Sequence, residues 1–253
     1  MNKKKFYEDH KNFSFRNLME YHLSPGIMCK FDILMKNINS KRIFLRGIDL
    51  GSSGNSILFY LDNIKHKSFF DIANLPLNQY RNKNRWHPLC GDLTRLPYRD
   101  RSFDFVSALD VIEHIKNDEL AVSEISRILK KNGVAMITVP HKMKFYTNQD
   151  KMIGHYRRYE IIQVISLFRK FKLKILQNFG VYGPLMKIAD IQSSNPQKVE
   201  ASLIKLRTLY STYLIFRKIW NLIVAISARI MKLDAKFHSL NKMMNIGLLF
   251  EKQ

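Results

Sequence analysis

Apolar positions along this chain fall into short continuous runs separated by stretches with helical spacing. Ile43, Phe44, Leu45 and Ile48 lead into Asp49 and then into the turn Gly51-Ser52-Ser53-Gly54-Asn55. Ile57, Leu58 and Leu61 follow, so the order reads as a strand, a tight loop and a helix start, which brings backbone N–H groups up to a ligand. The same loop also serves as plain turn chemistry in folds that bind nothing there. Upstream, Ser24 and Pro25 mark a helix start, and Ile27, Phe31, Leu34 and Ile38 share one face of a covering helix. Residues 1–23 carry mixed charge and scattered aromatics, predicting a short helix or arm.

Downstream, Ser68-Phe69-Phe70 forms a second strand ending in Asp71. An acid about 20 residues past a glycine turn is placed to accept from both hydroxyls of a ribose, a role the spacing favours over capping the next loop. Trp86 to Cys90 contains Pro88, which breaks a ladder and predicts an edge strand. Gly91-Asp92-Leu93 ends it. Phe103 to Leu109 is the next strand, closed by Asp110-Val111-Ile112-Glu113-His114. A helix is expected from Asp118 to Lys131, with Leu120, Ile125, Ile128 and Leu129 on one side and Asn132-Gly133 as its stop. Val134 to Val139 reads as a strand covered on both faces. Glu160 to Phe171 reads as a helix with Ile161, Ile165 and Phe168 inward, Lys172 to Tyr182 as a strand, and Ile246 to Phe250 as a final antiparallel strand.

With 253 residues, 46% of them hydrophobic, the chain has ample material for a globular core. Cys29 and Cys90 lie far apart with no CxxC or Cys/His spacing, so neither a disulfide scaffold nor a metal site is suggested, and a reducing cytoplasm is the expected compartment. The basic start has no apolar run behind it, which argues against secretion. The net charge of +21, from 42 basic and 21 acidic residues, changes the picture more. A field of that sign attracts nucleic acid, anionic membrane or phosphorylated substrates, and by itself selects none of them.

Taken together, GIDLGSSGNS, FFDIA, GDLTRLPYRDRSFDFVSALDVIEHI and EISRILKKNGVAMITVP resemble class I S-adenosylmethionine-dependent methyltransferases over about residues 42–180, in order and spacing. The resemblance implies an α/β fold, a doubly wound seven-stranded Rossmann-like sheet with its last strand antiparallel, and S-adenosylmethionine as cofactor. It also implies the cofactor site: Asp49, Gly51, Ser52, Gly54 and Asn55 at the loop, Asp71 with Ile72 at the ribose, Asp92 and Leu93 at the adenine, and Asp110 and Val111 at the methionine end. The family's glycine-x-glycine-x-glycine loop is one residue or one glycine short here. Residues 1–40 are expected to form an arm and covering helix, 41–195 the core, 196–240 a basic helical insertion, and 241–253 the closing strand.

Beyond Pro140, HKMKFYTNQDKMIGHYRRYE follows the fifth strand, at the sheet edge where ligands collect. His155 is the candidate base, oriented by Asp150; Arg157 and Arg158 are candidates for gripping an anionic part of the acceptor, with His114 and Tyr146 beside them. The alternative is a lid whose arginines pair with core carboxylates. GHxRRY strings resemble those of a bacterial subgroup acting on lipid-linked or surface-glycan precursors. From Val199 to Phe237, Arg207, Arg217, Lys218, Arg229, Lys232 and Lys236 gather on one side of a helix, with Leu209, Phe216, Ile219, Trp220, Ile223 and Ile230 on the other. That pattern suits either an anionic membrane surface or packing on the chain's own core or a second subunit. The leading expectation is a cytoplasmic methyltransferase, peripheral at the inner membrane face, acting on a small-molecule or lipid-linked acceptor with oxygen favoured. RNA methylation has only the charge behind it, with no RNA-binding module, and a non-catalytic relative would follow from the shortened loop.

Overall fold

The computed structural model describes residues 17–38, 41–81, 86–188 and 196–253, so the expected arm over residues 1–16 lies outside it. Seven strands form one sheet among the described residues: β1 (Phe44–Leu50), β2 (Ile64–Asp71), β3 (Trp86–Cys90), β4 (Phe103–Leu109), β5 (Leu129–Pro140), β6 (Leu173–Tyr182) and β7 (Asn245–Lys252). Their spatial order is β3-β2-β1-β4-β5-β7-β6. β1 pairs in parallel with both β2 and β4, whereas β7 runs antiparallel between β5 and β6. The chain reverses its direction of travel across the sheet between β1 and β4. In open α/β sheets that switch point is where ligands settle, outside the carboxyl ends of the strands. β3 sits at the sheet edge, as Pro88 requires.

Two apolar layers sandwich the sheet. On one face Ile48, Val106, Ala135 and Ile137 pack under α2 (Asp118–Ile128) and α4 (Ile161–Lys170), where Phe168 stacks on Phe250 at 4.3 Å between ring centroids. On the other, Phe44, Phe69, Phe105 and Met136 pack under α1 (Pro25–Asn37), whose N-cap Ser24 accepts from Ile27 N–H. Each fully buried Ile or Phe contributes roughly 1.5–3 kcal/mol, and burial on both faces is what makes Val134–Val139 of β5 read as a near-continuous apolar run.

Three expectations are corrected. No α-helix opens after the glycine turn: Ile57–Tyr60 is a single 3-10 turn, because β2 begins at Ile64 and leaves no length for more. Aromatic packing fills the space instead, with Phe69 stacked on Tyr80 at 4.1 Å and Phe59 on Trp86 at 4.9 Å. α2 ends at Ile128 rather than Lys131, since Leu129 already pairs with Phe103 in the sheet and Asn132, at φ +60°, turns the chain within β5. Leu120 is exposed, and Ala121 and Val122 take the inward positions.

The long basic stretch is two helices, α5 (Pro196–Thr212) and α6 (Leu214–Phe237), with Tyr213 extended between them. α6 packs on α1 and β6. Trp220 Nε1–H donates to the Leu23 carbonyl, Lys232 pairs with Asp32, and Arg207 with Glu20. Phe216 and Trp220 therefore face the chain's own core, while Ile219, Ile223 and Ile230 do not.

Candidate functional site

A cavity of about 510 Å³ opens at the carboxyl ends of β1, β2 and β4. Gly51 is its hinge. It lies at φ +72°, a conformation side chains resist, and a Cβ there would sit 2.5 Å from Val111 Cγ2. Its N–H donates to the Phe70 carbonyl, tying the loop to β2. Ser52, Ser53 and Asn55 line the cavity with it. Gly54 does not: it is buried behind the loop, where its carbonyl accepts from Gln79. Ser53, at φ +48°, holds the cavity position expected of that glycine.

Four carboxylates meet here at successive strand tips. Asp49 is buried and accepts from Ser107 Oγ at 2.6 Å; burial pushes its pKa up to about 6 against the pull of Ser107, Ser56 and Lys30. Asp71 accepts from Ser53 N–H at 2.8 Å on one oxygen and from Ala73 N–H at 2.9 Å on the other. Burial raises its pKa, and those backbone donors oppose the rise. They also fix the carboxylate plane, and each oxygen retains capacity for a further donor such as a ribose hydroxyl. Asp92 is exposed and held by Thr94 through one oxygen, while Ile72 and Leu93 supply apolar walls on either side of the same space.

Asp110 is fully engaged by protein. Lys30 Nζ lies 2.6 Å from one oxygen, and Thr138 Oγ1 and Asn245 Nδ2 donate to the other. Burial would raise its pKa, but the Lys30 charge and these donors outweigh that and hold it at about 2. Lys30 was not among the residues expected at the site. It stands on the apolar face of α1, 80 residues from its partner, so only the packing of α1 over the sheet brings it in.

Beyond β5, α3 (Asn148–Ile153) builds the cavity's polar wall. Thr147 caps α3 and donates its N–H to Asp150 at 2.7 Å. Gly154, left-handed at φ +82°, turns the chain back so that His155 Nδ1 reaches Asp150 Oδ1 at 2.6 Å. Arg158 grips the same carboxylate, Nη2 to Oδ2 at 2.8 Å. Burial opposes ionisation, but the His155, Arg158 and Thr147 hydrogen bonds keep the Asp150 pKa at about 2. An ionised aspartate on Nδ1 selects the tautomer with the proton on Nδ1, leaving Nε2 to accept one.

Two substrate expectations are corrected, because the arginines have partners of their own. Arg157 does not line the cavity: it pairs with Asp118 at 2.6 Å and donates to the Lys116 carbonyl. Arg158 lines the wall but is buried on Asp150. Tyr146 is likewise outside the lining and donates to the His155 carbonyl at 2.7 Å. The segment is the lid with paired arginines. His114 does line the cavity, its ring edge-on to His155 at 4.4 Å.

Glu113 is wholly buried, both its oxygens lack a hydrogen-bond partner, and burial drives its pKa well above the usual carboxylate value. Its Oε1 lies 3.8 Å from His155 Nε2. Glu113, His114 and His155 each present one ligand atom within 4.8 Å of the others, a set able to hold a divalent cation. No sequence spacing reveals it, since the lid folds back to deliver His155.

The cavity fits S-adenosylmethionine on two counts. The amide nitrogen of Asn55 is buried at its wall without a partner, a donor awaiting an acceptor, and the hollow beside Gly51 is one a Cβ would invade.

A methyltransferase domain model matches residues 48–137. An uncharacterized protein of Methanocaldococcus jannaschii is 28% identical over 170 residues, 66% of this chain and 68% of its own length. A protein of Mycolicibacterium smegmatis called a "Probable S-adenosylmethionine-dependent methyltransferase" is 29% identical over 94 residues, 36% of this chain and 37% of its own. Phosphoethanolamine N-methyltransferase 2 of Haemonchus contortus, solved with S-adenosylmethionine, shares the fold at a TM-score of 0.64 and 16% identity, covering 100% of this chain and 60% of that one. Since the matched stretch runs from β1 to β5 and so spans the strands whose tips frame the cavity, the chain carries a methyltransferase domain and is an S-adenosylmethionine-dependent methyltransferase, with S-adenosylmethionine as its cofactor.

Proposed function

We propose that this chain methylates a hydroxyl oxygen on a small-molecule or lipid-linked acceptor, a glycan precursor among them, at the cytoplasmic face of a membrane. The observation that carries the reading is the Asp150–His155 pair in the cavity wall, which leaves Nε2 as the nitrogen that takes a proton. When bound, S-adenosylmethionine supplies a methyl group on a positively charged sulfur, a leaving group that needs no activation by protein. Asp71 would accept from the ribose hydroxyls, Ile72 and Leu93 would enclose the base beside Asp92, and the Gly51–Asn55 loop with Asp49, Asp110 and Val111 would hold the methionine part. His155 Nε2 takes the proton of the acceptor hydroxyl, and Asp150 on Nδ1 holds the ring in position to receive it.

Holding acceptor and methyl group in line contributes the larger share, up to about 7–11 kcal/mol, whereas a positioned base contributes roughly 10²- to 10⁴-fold in rate. An oxygen acceptor, with a proton to lose, has use for such a base. Transfer of radiolabelled methyl into lipid extract, RNA or neither tests the reading. Label in an alkali-stable ether of the lipid or small-molecule fraction supports it, and label in RNA or in an amine overturns it.

A further inference from the structure

The outer face of α6 has no counterpart in the cavity chemistry. Ile215, Ile219, Leu222, Ile226, Ile230 and Phe237 recur at steps of three, four or seven residues along the helix, and each is more than half exposed, from 51% to 75%. The opposite face, with Trp220, Val224 and Ala228, is already packed on the core. An exposed apolar stripe of this length on a helix already packed on its other side marks an interaction surface.

Charge identifies the cover. Lys218, Arg229 and Lys236 are exposed along one flank of the stripe, about a quarter-turn from it. The acid on α6 is Asp234, turned inward to accept from Leu185 N–H and to pair with His238. A second copy of the helix would meet the stripe with the same cations and no acid to pair them, and an acidic lipid surface supplies what is missing. No helix among the described residues is long and apolar enough to cross a bilayer, so α6 lies in its plane.

We propose that α6 seats this chain on an anionic phospholipid bilayer, apolar stripe inward and the flanking arginine and lysines at the headgroups. The seat stands without the reading of the previous subsection.

The test is co-sedimentation of the full chain with vesicles of phosphatidylcholine alone or with about one-third phosphatidylserine, at low and high salt. Partitioning at least about tenfold stronger onto the anionic vesicles, weakened by salt, is expected. Ile219→Glu with Ile226→Glu abolishes it, as does Lys218→Glu with Arg229→Glu, while circular dichroism and S-adenosylhomocysteine binding stay at the level of the parent. Equal binding to both vesicle types, or none, overturns the proposal. So does a concentration-dependent dimer that the isoleucine variants dissolve, because the face would then be covered by a second copy. Methyl transfer enters none of these readouts, so failure here leaves the proposed reaction standing, and failure of the reaction leaves the membrane seat standing.

Discussion

Asp150 Oδ1 and His155 Nδ1 lie 2.6 Å apart across the turn made by Gly154, and Arg158 holds the other carboxylate oxygen. The aspartate thus serves two partners: it orients the imidazole and neutralises a buried guanidinium. Replacing it confounds both, so His155 is the cleaner probe. His155→Ala is expected to lower turnover by roughly 10²- to 10⁴-fold, with the S-adenosylhomocysteine Kd by calorimetry within about twofold of the parent. Small and equal losses in both would make the lid a scaffold.

Asp71 sits at the centre of the cofactor reading because two backbone N–H groups pin it open to the cavity. Loss of one charge-assisted hydrogen bond to a ribose costs on the order of 1.5–3 kcal/mol, so Asp71→Ala is expected to raise the S-adenosylhomocysteine Kd by at least roughly 10- to 100-fold. Asp92→Ala, at an exposed carboxylate, changes it far less. A reversed ranking in calorimetry would misplace the nucleoside.

Asp49 makes stability depend on pH. Its pKa is about 6 when folded against 3.8 for the free side chain, so between these values the folded chain holds a proton the unfolded chain has released. Stability from this group is therefore highest below about pH 4, falls as pH rises to about 6, and is flat above, an effect of at most about 3 kcal/mol. Asp49→Asn removes it. The difference in unfolding free energy between variant and parent, by urea titration, grows across that window in the variant's favour; a constant difference contradicts the assignment.

His155 has a second conceivable employment, since it shares a space with His114 and Glu113. A base and a metal ligand differ under chelation. With His155 as base, methyl transfer by protein treated with EDTA and dialysed is expected to equal that of untreated protein. Loss of activity restored by Zn²⁺ or Mn²⁺ would instead make the imidazole a ligand.

Much of the sheet was legible because its signals are local. Pro88 placed β3 at the edge, Asp71 and Asp110 marked strand tips, and the unbroken run before Pro140 announced a strand covered on both faces. The helix after Gly51 was misread because turn residues and an apolar triplet look alike whether β2 starts soon or late. Leu129 was misassigned for a similar reason: at helical spacing from Ile125, it is claimed by a strand partner, Phe103.

Of the carboxylates, the sequence alone determined which would stand at strand ends, since strand, turn and acid are written within a few residues of each other. The resemblance carried by the same segments implied S-adenosylmethionine as the cofactor. The tertiary structure decided which charges are spent. Arg157 and Arg158 are matched to Asp118 and Asp150, Lys30 reaches Asp110 from another layer, and α6 turns Trp220 inward and its isoleucines outward. Each of these outcomes depends on distances between residues far apart in the chain, and an ion pair or a helix face is chosen by whichever partner packing brings within reach.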